Sequence, residues 1–412
     1  MIDLRLARAN PDIFRDALAR KGAAETFDAL LAADRAWAEA TQRRDEARAE
    51  QRRLGKPTSQ EDIDRARTLK QELQRLDDEL ATAEAERRSL WDAVPNPPHP
   101  TAPDGDSDED AELVRTWGTA PDLPFRPRDS VELAAGGIDL EHAARTSGSR
   151  FVYRVGDVAL LELALYRFAL ERLLMRDFVP VLPPVLVRER AMYGTGFFPT
   201  LRDDVYAVPD DGLFLAGTSE VALAAMHMDE ELDDLPLRYA GYSTCFRREA
   251  GAAGRDTHGM FRVHQFDKVE MFVFCRPEES EGEHERLLAQ EEEIIRELGI
   301  PYRVMNIAAG DLGPAAAKKY DVEGWFPVQA RYRELTSTSN TTDFQARRLN
   351  IRFRRDKALE HVHTLNGTAV TARAMLSIME NFQDEDGSVA VPEPLVELGA
   401  PSRLGADRAP AT

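Results

Sequence analysis

Two stretches of the chain carry the residues best suited to chemistry. Cys245-Phe246-Arg247-Arg248-Glu249-Ala250-Gly251 and Phe261-Arg262-Val263-His264-Gln265-Phe266-Asp267-Lys268-Val269-Glu270 flank a loop rich in Gly and Ala. Each reads as a strand, and strand side chains alternate faces with period two. Arg262, His264, Phe266, Lys268 and Glu270 then share one face, and Arg247 and Glu249 share a face on the first strand. Val263, Val269, Met271 and Val273 take the other side, interrupted by Gln265 and Asp267. Two arginines, an aromatic ring and two carboxylates in one row can hold an anionic phosphate, a flat base and an ammonium group together. On pattern alone, a solvated face with incidental ion pairs explains the row about as well.

The segment from Phe246 to Glu270, FRREAGAAGRDTHGMFRVHQFDKVE, resembles motif 2 of the seryl-tRNA synthetases, a class II aminoacyl-tRNA synthetase family whose pattern is close to FRxEAGxAGRDTRGxxRxHQFxKVE. A match of this length is far more specific than a single glycine motif. The resemblance implies ATP-dependent activation of L-serine to seryl-adenylate, followed by transfer to tRNA(Ser). Chemistry of that kind needs alignment and charge neutralisation more than a protein nucleophile. A planar guanidinium grips phosphate or carboxylate in a fork, which favours arginine over lysine. By resemblance, Arg247 bridges the serine carboxylate and the α-phosphate, Arg262 holds the γ-phosphate, and Glu249 reads the adenine amino group. Phe266 stacks on the base, a contact worth roughly 1–3 kcal/mol. His258 stands where many members have arginine in a loop that meets the tRNA acceptor end; a neutral imidazole weakens a phosphate contact that protonation restores.

Two further clusters resemble the same family. The run from Arg333 to Arg348, RELTSTSNTTDFQARR, is similar to its EISSxSNxxDFQARR segment, which implies that Glu334 and Ser337 bind ATP and Mg²⁺. Oxygen donors suit that ion. A regular strand would send positions 334 and 337 to opposite faces, so the match requires a bulge or a strand end between them. Thr364-Leu365-Asn366-Gly367-Thr368, followed by Arg373, resembles motif 3, whose arginine packs over adenine and meets the γ-phosphate. Met375, Leu376, Ile378, Met379 and Phe382 give the spacing of a buried helix face, with Arg373, Ser377 and Glu380 expected opposite. Thr368 replaces a frequent serine, and the turn before Arg373 is one residue shorter than in many members. Arg247, Arg262 and Arg373 are thus the expected catalytic residues.

For serine itself the resemblance implies a pocket of Thr218, Ser219, Glu220, Arg247, Glu270, Asn366 and Thr368. Thr218-Ser219-Glu220 matches the family's T-(A/S)-E, which holds the amino group, although a helix cap with an acid in its first turn explains it in isolation. A pocket that hydrogen-bonds the hydroxyl rejects alanine strongly, whereas rejecting threonine by size is worth only about 1–3 kcal/mol.

These groups need a scaffold. The chain has 412 residues, enough for two or three domains. From about Phe27 to Trp91 it is rich in Ala, Arg, Glu, Gln and Leu. Ala66, Leu69, Leu73, Leu76, Leu80, Ala83 and Leu90 follow heptad spacing, broken at Arg87. A weaker seam, Phe27, Leu30, Trp37, Ala40, Ala47 and Leu54, carries Asp34, Arg44 and Gln51 at seam positions. Gly55 and Pro57 stop one helix, and Ser59 or Thr58 caps the next. The expectation is an antiparallel coiled-coil hairpin with helices of roughly 30 residues, about 45 Å each at 1.5 Å per residue. By resemblance, this arm grips serine tRNA, with Arg48, Arg52, Arg53 and Lys56 near the tip as phosphate contacts. An ordinary solvated coiled-coil surface is the alternative for any one of them.

Residues 95–128 are crowded with proline and acid, read as a linker. The expected domains are a cap and arm over 1–100, a linker over 101–128, a catalytic domain over 129–401 and a flexible tail over 402–412. The expected class is α+β: an antiparallel sheet flanked by helices, preceded by the arm. A helix over Phe151–Phe178, with Leu160, Leu163, Tyr166, Phe168 and Leu170 among its apolar residues, and the strand FVPVLPPVLV after it resemble motif 1, whose usual role is a homodimer interface.

Lys and Arg number 53 against 73 Asp and Glu, a net charge of −20. RNA contact must therefore use a local basic strip, and no DNA partner is expected. Cys245 and Cys275, without CxxC spacing, imply neither zinc nor a disulfide framework. There is no secretory h-region and no apolar run near the roughly 20 residues that span a bilayer, so a cytoplasmic protein without a membrane partner is expected. His264, His361 and His363 read as structural. Readings kept beside the synthetase are a serine-activating paralogue loading a carrier protein, a nonenzymatic paralogue, and a duplicate synthetase serving antibiotic biosynthesis or resistance.

Overall fold

Helix-forming sequence dominates the first unit, Met1–Pro98. In the computed structural model, which describes residues 1–250 and 259–405, its long helices are α1 (Ala24–Leu54) and α2 (Gln60–Ala93). Gly55, at φ +60°, ends α1 in a backbone region open to glycine. Ser59 starts α2 with a capping box: its hydroxyl accepts from Asp62 N–H, and the Asp62 carboxylate accepts from Ser59 N–H. Ion pairs fix the antiparallel register, Asp34 with Arg87, Arg43 with Glu79, Arg48 with Asp77 and Glu50 with Arg65. Leu69, Leu73 and Leu76 are buried along the seam, where Leu73 and Leu76 pack with Ala47 of α1.

The two seam breaks answer each other. Asp34, 4 % exposed, accepts from Arg87 Nε at 2.7 Å and from Arg8 Nε and Nη2 at 2.5 and 2.7 Å. The Arg87 guanidinium lies 4.2 Å from the Trp37 ring centre and 5.2 Å from that of Trp91. Burial works against ionisation of Asp34, and its bonds to Arg8 and Arg87 overcome that and hold its carboxyl below the usual range.

The second unit, from His99 on, is built on an eight-stranded sheet in the order β1-β5-β6-β7-β8-β4-β3-β2. Its strands are β1 (Glu112–Trp117), β2 (Val179–Val181), β3 (Leu237–Phe246), β4 (Gln265–Cys275), β5 (Tyr302–Asn306), β6 (Lys318–Phe326), β7 (Arg331–Asn340) and β8 (His363–Thr371). Neighbours run antiparallel except the edge pair β2 and β3. One face is covered by α3 (Asp157–Leu174), α5 (Ser280–Glu297) and α7 (Ala372–Asn381). Val269, Met271 and Val273 of β4 point into that core with Leu165, Phe168, Leu288 and Ile295. Phe272 and Phe274 point the other way, into a smaller cluster with α4 (Glu220–Ala225) and α6 (Phe344–Leu349). Each such side chain buried contributes about 1.5–3 kcal/mol, so the period-two pattern of β4 is enforced from both faces.

Several expectations change. The proline-rich stretch 101–128 contains β1, an edge strand of the main sheet paired with β5. Arg403–Leu404, placed in the tail, forms a strand with Val389–Ala390; residues 406–412 lie outside the described residues. The motif 1 helix is shorter, Asp157–Leu174, and Leu160 and Leu163 are exposed. Ser377 and Glu380 are not on an outer face but are 0 % and 4 % exposed. The Ser377 hydroxyl donates to Trp325 O, and Glu380 accepts from Val328 N–H. No described helix is long and apolar enough to cross a membrane.

Candidate active site

The polar face of β4 opens into a cavity of about 430 Å³ between the sheet and the segments flanking it. Phe266, Lys268 and Glu270 enter from alternate positions of β4, as period two requires. The first part of the expected row does not belong to a strand: β3 ends at Phe246 and β4 begins at Gln265. Arg247, Glu249 and Arg262 reach the cavity from the chain beyond the strand ends. His264 does not line it; its Nδ1 donates to Arg247 O at 2.9 Å, while Arg247 N–H donates to His264 O at 2.9 Å. That reciprocal clasp is structural and fixes the base of the Arg247 side chain.

Arg247 is held further by a bond from Nε to Gly217 O at 3.1 Å, and its guanidinium lies 5.2 Å from the Phe266 ring centre. Arg262 Nη1 pairs with Glu249 Oε2 at 2.5 Å, tying together the two ends of the loop. Glu249 adopts φ +53°, a left-handed backbone costing about 1–2 kcal/mol for a residue with a Cβ. The loop between, with His258, lies outside the described residues.

From β7, Glu334 and Ser337 both reach the cavity. Their opposite parity is resolved by a bulge: Val322 pairs with Thr336 and Glu323 with Glu334, leaving Leu335 as the extra residue. Leu335 turns into the core at 2 % exposure, in space left by Gly324, where a Cβ would stand 2.4 Å from Leu335 Cδ1. Burial opposes ionisation of Glu334, but Arg373, with Lys319, Arg247 and Arg262, outweighs it and holds the carboxyl below the usual range. Arg373 projects from the first turn of α7, capped by Thr371. Its Nη1 donates to Glu334 O at 3.2 Å, and its guanidinium lies 4.5 Å from the Phe261 ring centre.

Thr218, Glu220, Glu270, Asn366 and Thr368 line the same cavity. Ser219 does not. Its hydroxyl is 2.7 Å from Ser243 Oγ behind the wall, and the residue is 1 % exposed. The turn leading into α4 points Thr218 and Glu220 inward and the residue between them outward. Glu220 accepts from Gln345 Nε2 at 2.7 Å, and Gln345 Oε1 in turn accepts from Thr364 Oγ1 at 2.9 Å. Burial first, then the Glu270 carboxylate, pushes Glu220 up to about 7, against the Gln345 bond and the charges of Lys268 and Arg247.

Sequence reasoning left three functional neighbours unassigned. Gln345 sits inside the quoted DFQARR run, Lys268 lies on the named face of β4, and Phe261 precedes Arg262; each had a position but no partner until the fold supplied one. Lys319, paired with Asp321 at 2.8 Å, also faces the cavity and carried no sequence signal.

The arm residues Arg48, Arg52, Arg53 and Lys56 are exposed, Arg48 bonding Asp77 at 3.1 Å. His361 Nδ1 donates to Ile351 O, and His363 Nδ1 bonds Ser280 Oγ, as structural histidines do.

Comparison with known proteins agrees with this layout. The profile "Seryl-tRNA synthetase N-terminal domain" matches residues 1–98, and "tRNA synthetase class II core domain (G, H, P, S and T)" matches residues 206–382. The serine–tRNA ligase of Streptomyces coelicolor is 48 % identical over 411 residues, 96 % of either chain. A crystal structure of seryl-tRNA synthetase from Pyrococcus horikoshii complexed with ATP superposes with a TM-score of 0.92 at 40 % identity, covering 99 % of this chain and 100 % of that one. The cytoplasmic serine–tRNA ligase of Naegleria fowleri, in complex with AMP, gives 0.86 at 31 % identity, covering 96 % of this chain and 95 % of that one. With both units matched and the cavity built from motif 2, motif 3 and the 333–348 run, the chain belongs to the seryl-tRNA synthetase family of class II aminoacyl-tRNA synthetases.

Proposed function

We propose that this chain is a serine–tRNA ligase: it activates L-serine with ATP and transfers the seryl group to tRNA(Ser). The observation that carries this reading is the convergence of Arg247, Arg262 and Arg373 with Phe266 and Glu270 on one cavity. In the first step a serine carboxylate oxygen bonds the α-phosphorus as the bond to the bridging oxygen of pyrophosphate breaks. Arg247 neutralises the carboxylate and α-phosphate that must approach each other, and Arg262 and Arg373 hold the outer phosphates in line. Phe266 stacks on adenine, and Glu249 accepts from its amino group. Glu220 takes the serine ammonium, and Glu270, with Asn366 and Thr368, meets the hydroxyl. In the second step the terminal ribose hydroxyl of tRNA attacks the acyl carbon and AMP leaves.

Glu334 and Ser337 fit a magnesium ion: both are oxygen donors, the bulge brings them to one side, and the surrounding arginines and Lys319 keep Glu334 charged. Bound with ATP, the ion would neutralise phosphate charge. A homodimer is part of the proposal, supported by exposed Leu160, Leu163, Leu174, Met175 and Leu182, more large apolar surface than a monomer usually leaves around one helix. So are a cytoplasmic location, where tRNA is charged, and phosphate contacts from Arg48, Arg52, Arg53, Lys56 and His258.

The test is serine-dependent ATP–pyrophosphate exchange, with threonine and alanine as controls, followed by transfer to tRNA. Exchange without transfer to tRNA, but with transfer to a carrier protein, would overturn the second half of the reading. Replacing Arg52 and Arg53 by alanine is expected to raise the KM for tRNA and reduce its salt dependence while leaving exchange unchanged.

A further inference from the structure

Lys268 is 5 % exposed and Glu270 2 %, two residues apart on the cavity face of β4. The Lys268 ammonium is ion-paired with the Glu270 carboxylate and donates to Thr218 Oγ1 at 2.7 Å. Thr218 Oγ1 also accepts from Glu220 N–H at 3.2 Å, at the start of α4. One ammonium thus ties together the two elements whose carboxylates face the amino-acid end of the cavity.

We propose that Lys268 is the positioning residue of this pocket: it balances the paired carboxylates and holds Glu270 as an acceptor aimed at the substrate hydroxyl, and so sets the preference for serine over alanine. The proposal rests on the serine-activation reading. Its logic is a charge count. Glu220 and Glu270 bring two negative charges, and the substrate ammonium supplies one positive charge; Lys268 supplies the other. Without it, two carboxylates in one buried space share a single cation, and one of them takes up a proton. A carboxylate can only accept, so the substrate hydroxyl must donate to it. Alanine leaves that acceptor unpaired, which is the strong form of discrimination.

A second buried carboxylate lies behind the sheet. Glu291 of α5, 0 % exposed on the other face of the sheet, accepts from Thr336 Oγ1 at 3.1 Å, and its Oε1 has no hydrogen-bond partner. Burial, aided by Asp321, Glu270 and Glu334, pushes its carboxyl well above the usual range. Among the described residues, the charge of Glu270 is felt by Glu220 at the start of α4, Cys245 on β3 and Glu291 on α5, and Arg247, beyond the end of β3, acts on Glu220 and Cys245. Among these and Lys268, only Lys268 and Arg247 are cations; Lys268 is the one ion-paired with Glu270, while the Arg247 Nε donates to Gly217 O.

The test is pyrophosphate exchange by the full-length protein with serine and with alanine. Lys268→Met is expected to lower kcat/KM for serine about 100-fold, the loss of a charged buried hydrogen bond, while the alanine value and the KM for ATP stay within about threefold of wild type. Lys268→Arg should restore at least about tenfold of the loss. If serine and alanine fall together, or if their ratio is unchanged, the proposal is overturned. Should Lys268→Met fail to bind ATP in calorimetry, Lys268→Gln replaces it, keeping a donor for Thr218 and removing only the charge. The same collapse of the ratio is expected, and retained discrimination overturns the idea. A wild-type protein without serine-dependent exchange would instead sink the activation reading itself.

Discussion

The hairpin and the sheet unit each bury a carboxylate against a cation, and the two clusters behave differently. At Asp34 the bonds close within the first unit: Arg8 forks onto the carboxylate, Arg87 adds a bond from Nε, and Trp37 and Trp91 flank Arg87. At Glu270 the charge is met by Lys268, but the remaining acceptor capacity faces a cavity. The first cluster replaces apolar seam contacts with a pair that fits only one register, a use of buried charge that specifies alignment. The second is poorly explained by stability, since an apolar pair of the same shape would do as well or better. A buried charge with capacity left over, aimed at open space, marks a place for a solute.

The comparison can be broken most forcefully at Arg247. Arg247→Ala is expected to lower serine-dependent exchange by about 10³-fold with a change in unfolding free energy below about 1 kcal/mol. A stable protein with near-normal exchange would remove the cavity from the chemistry. Asp34→Ala should do the reverse. It strands Arg87 between two indoles and is expected to cost about 3 kcal/mol, seen in the helical circular dichroism melt, with exchange unaltered. Acid should mimic it. The folded Asp34 carboxyl lies below its unfolded value, so its stabilisation is present above about pH 4 and is lost as pH falls through the depressed folded value.

Gly367→Ala probes the wall the cavity shares with the core. A Cβ there would meet Glu291 Oε1 at 2.9 Å and Met271 Cε and Thr338 Oγ1 at 3.1 Å. The expected cost is about 2 kcal/mol of overpacking, together with a raised KM for serine because Asn366 and Thr368 flank the site. The smallest effect is the pH dependence of Glu220. With its carboxyl raised to about 7, the empty pocket is charged above that value and neutral below it. The substrate ammonium prefers the charged form, so kcat/KM for serine should fall roughly fivefold from pH 7 to pH 6. Glu220→Gln should flatten that limb.

What the sequence disclosed, and what it hid, follows from how each element is buried. The hairpin was legible because its apolar positions recur on one stripe; the partnership of Asp34 with Arg87 was not, since each reads as a defect until the helices are laid antiparallel. Strand β1 escaped notice because Leu113 and Val114 are both exposed, so no alternation marks it. The need for a bulge near Glu334 was readable from parity, but not which residue would be extruded; Gly324 on the facing strand decides that in favour of Leu335. That the Ser219 side chain faces away from the cavity was hidden because a three-residue motif does not say which way a helix-entry turn faces. Ser377 and Glu380 looked like an outer face, yet α7 is enclosed all round, and their backbone partners come from distant Trp325 and Val328.

The displaced leucine in β7 has a consequence for anyone who would borrow this site. Copied as a linear peptide onto a flat, regular ribbon, Glu334 and Ser337 would look in opposite directions and grip nothing together. The working unit is the irregularity plus the vacancy opposite it, so a transplant has to carry Gly324 across as well. Shortening the segment by the one extruded residue would keep the two ligands on one face of a regular ladder, two positions apart, but would empty the place that Leu335 fills in the core.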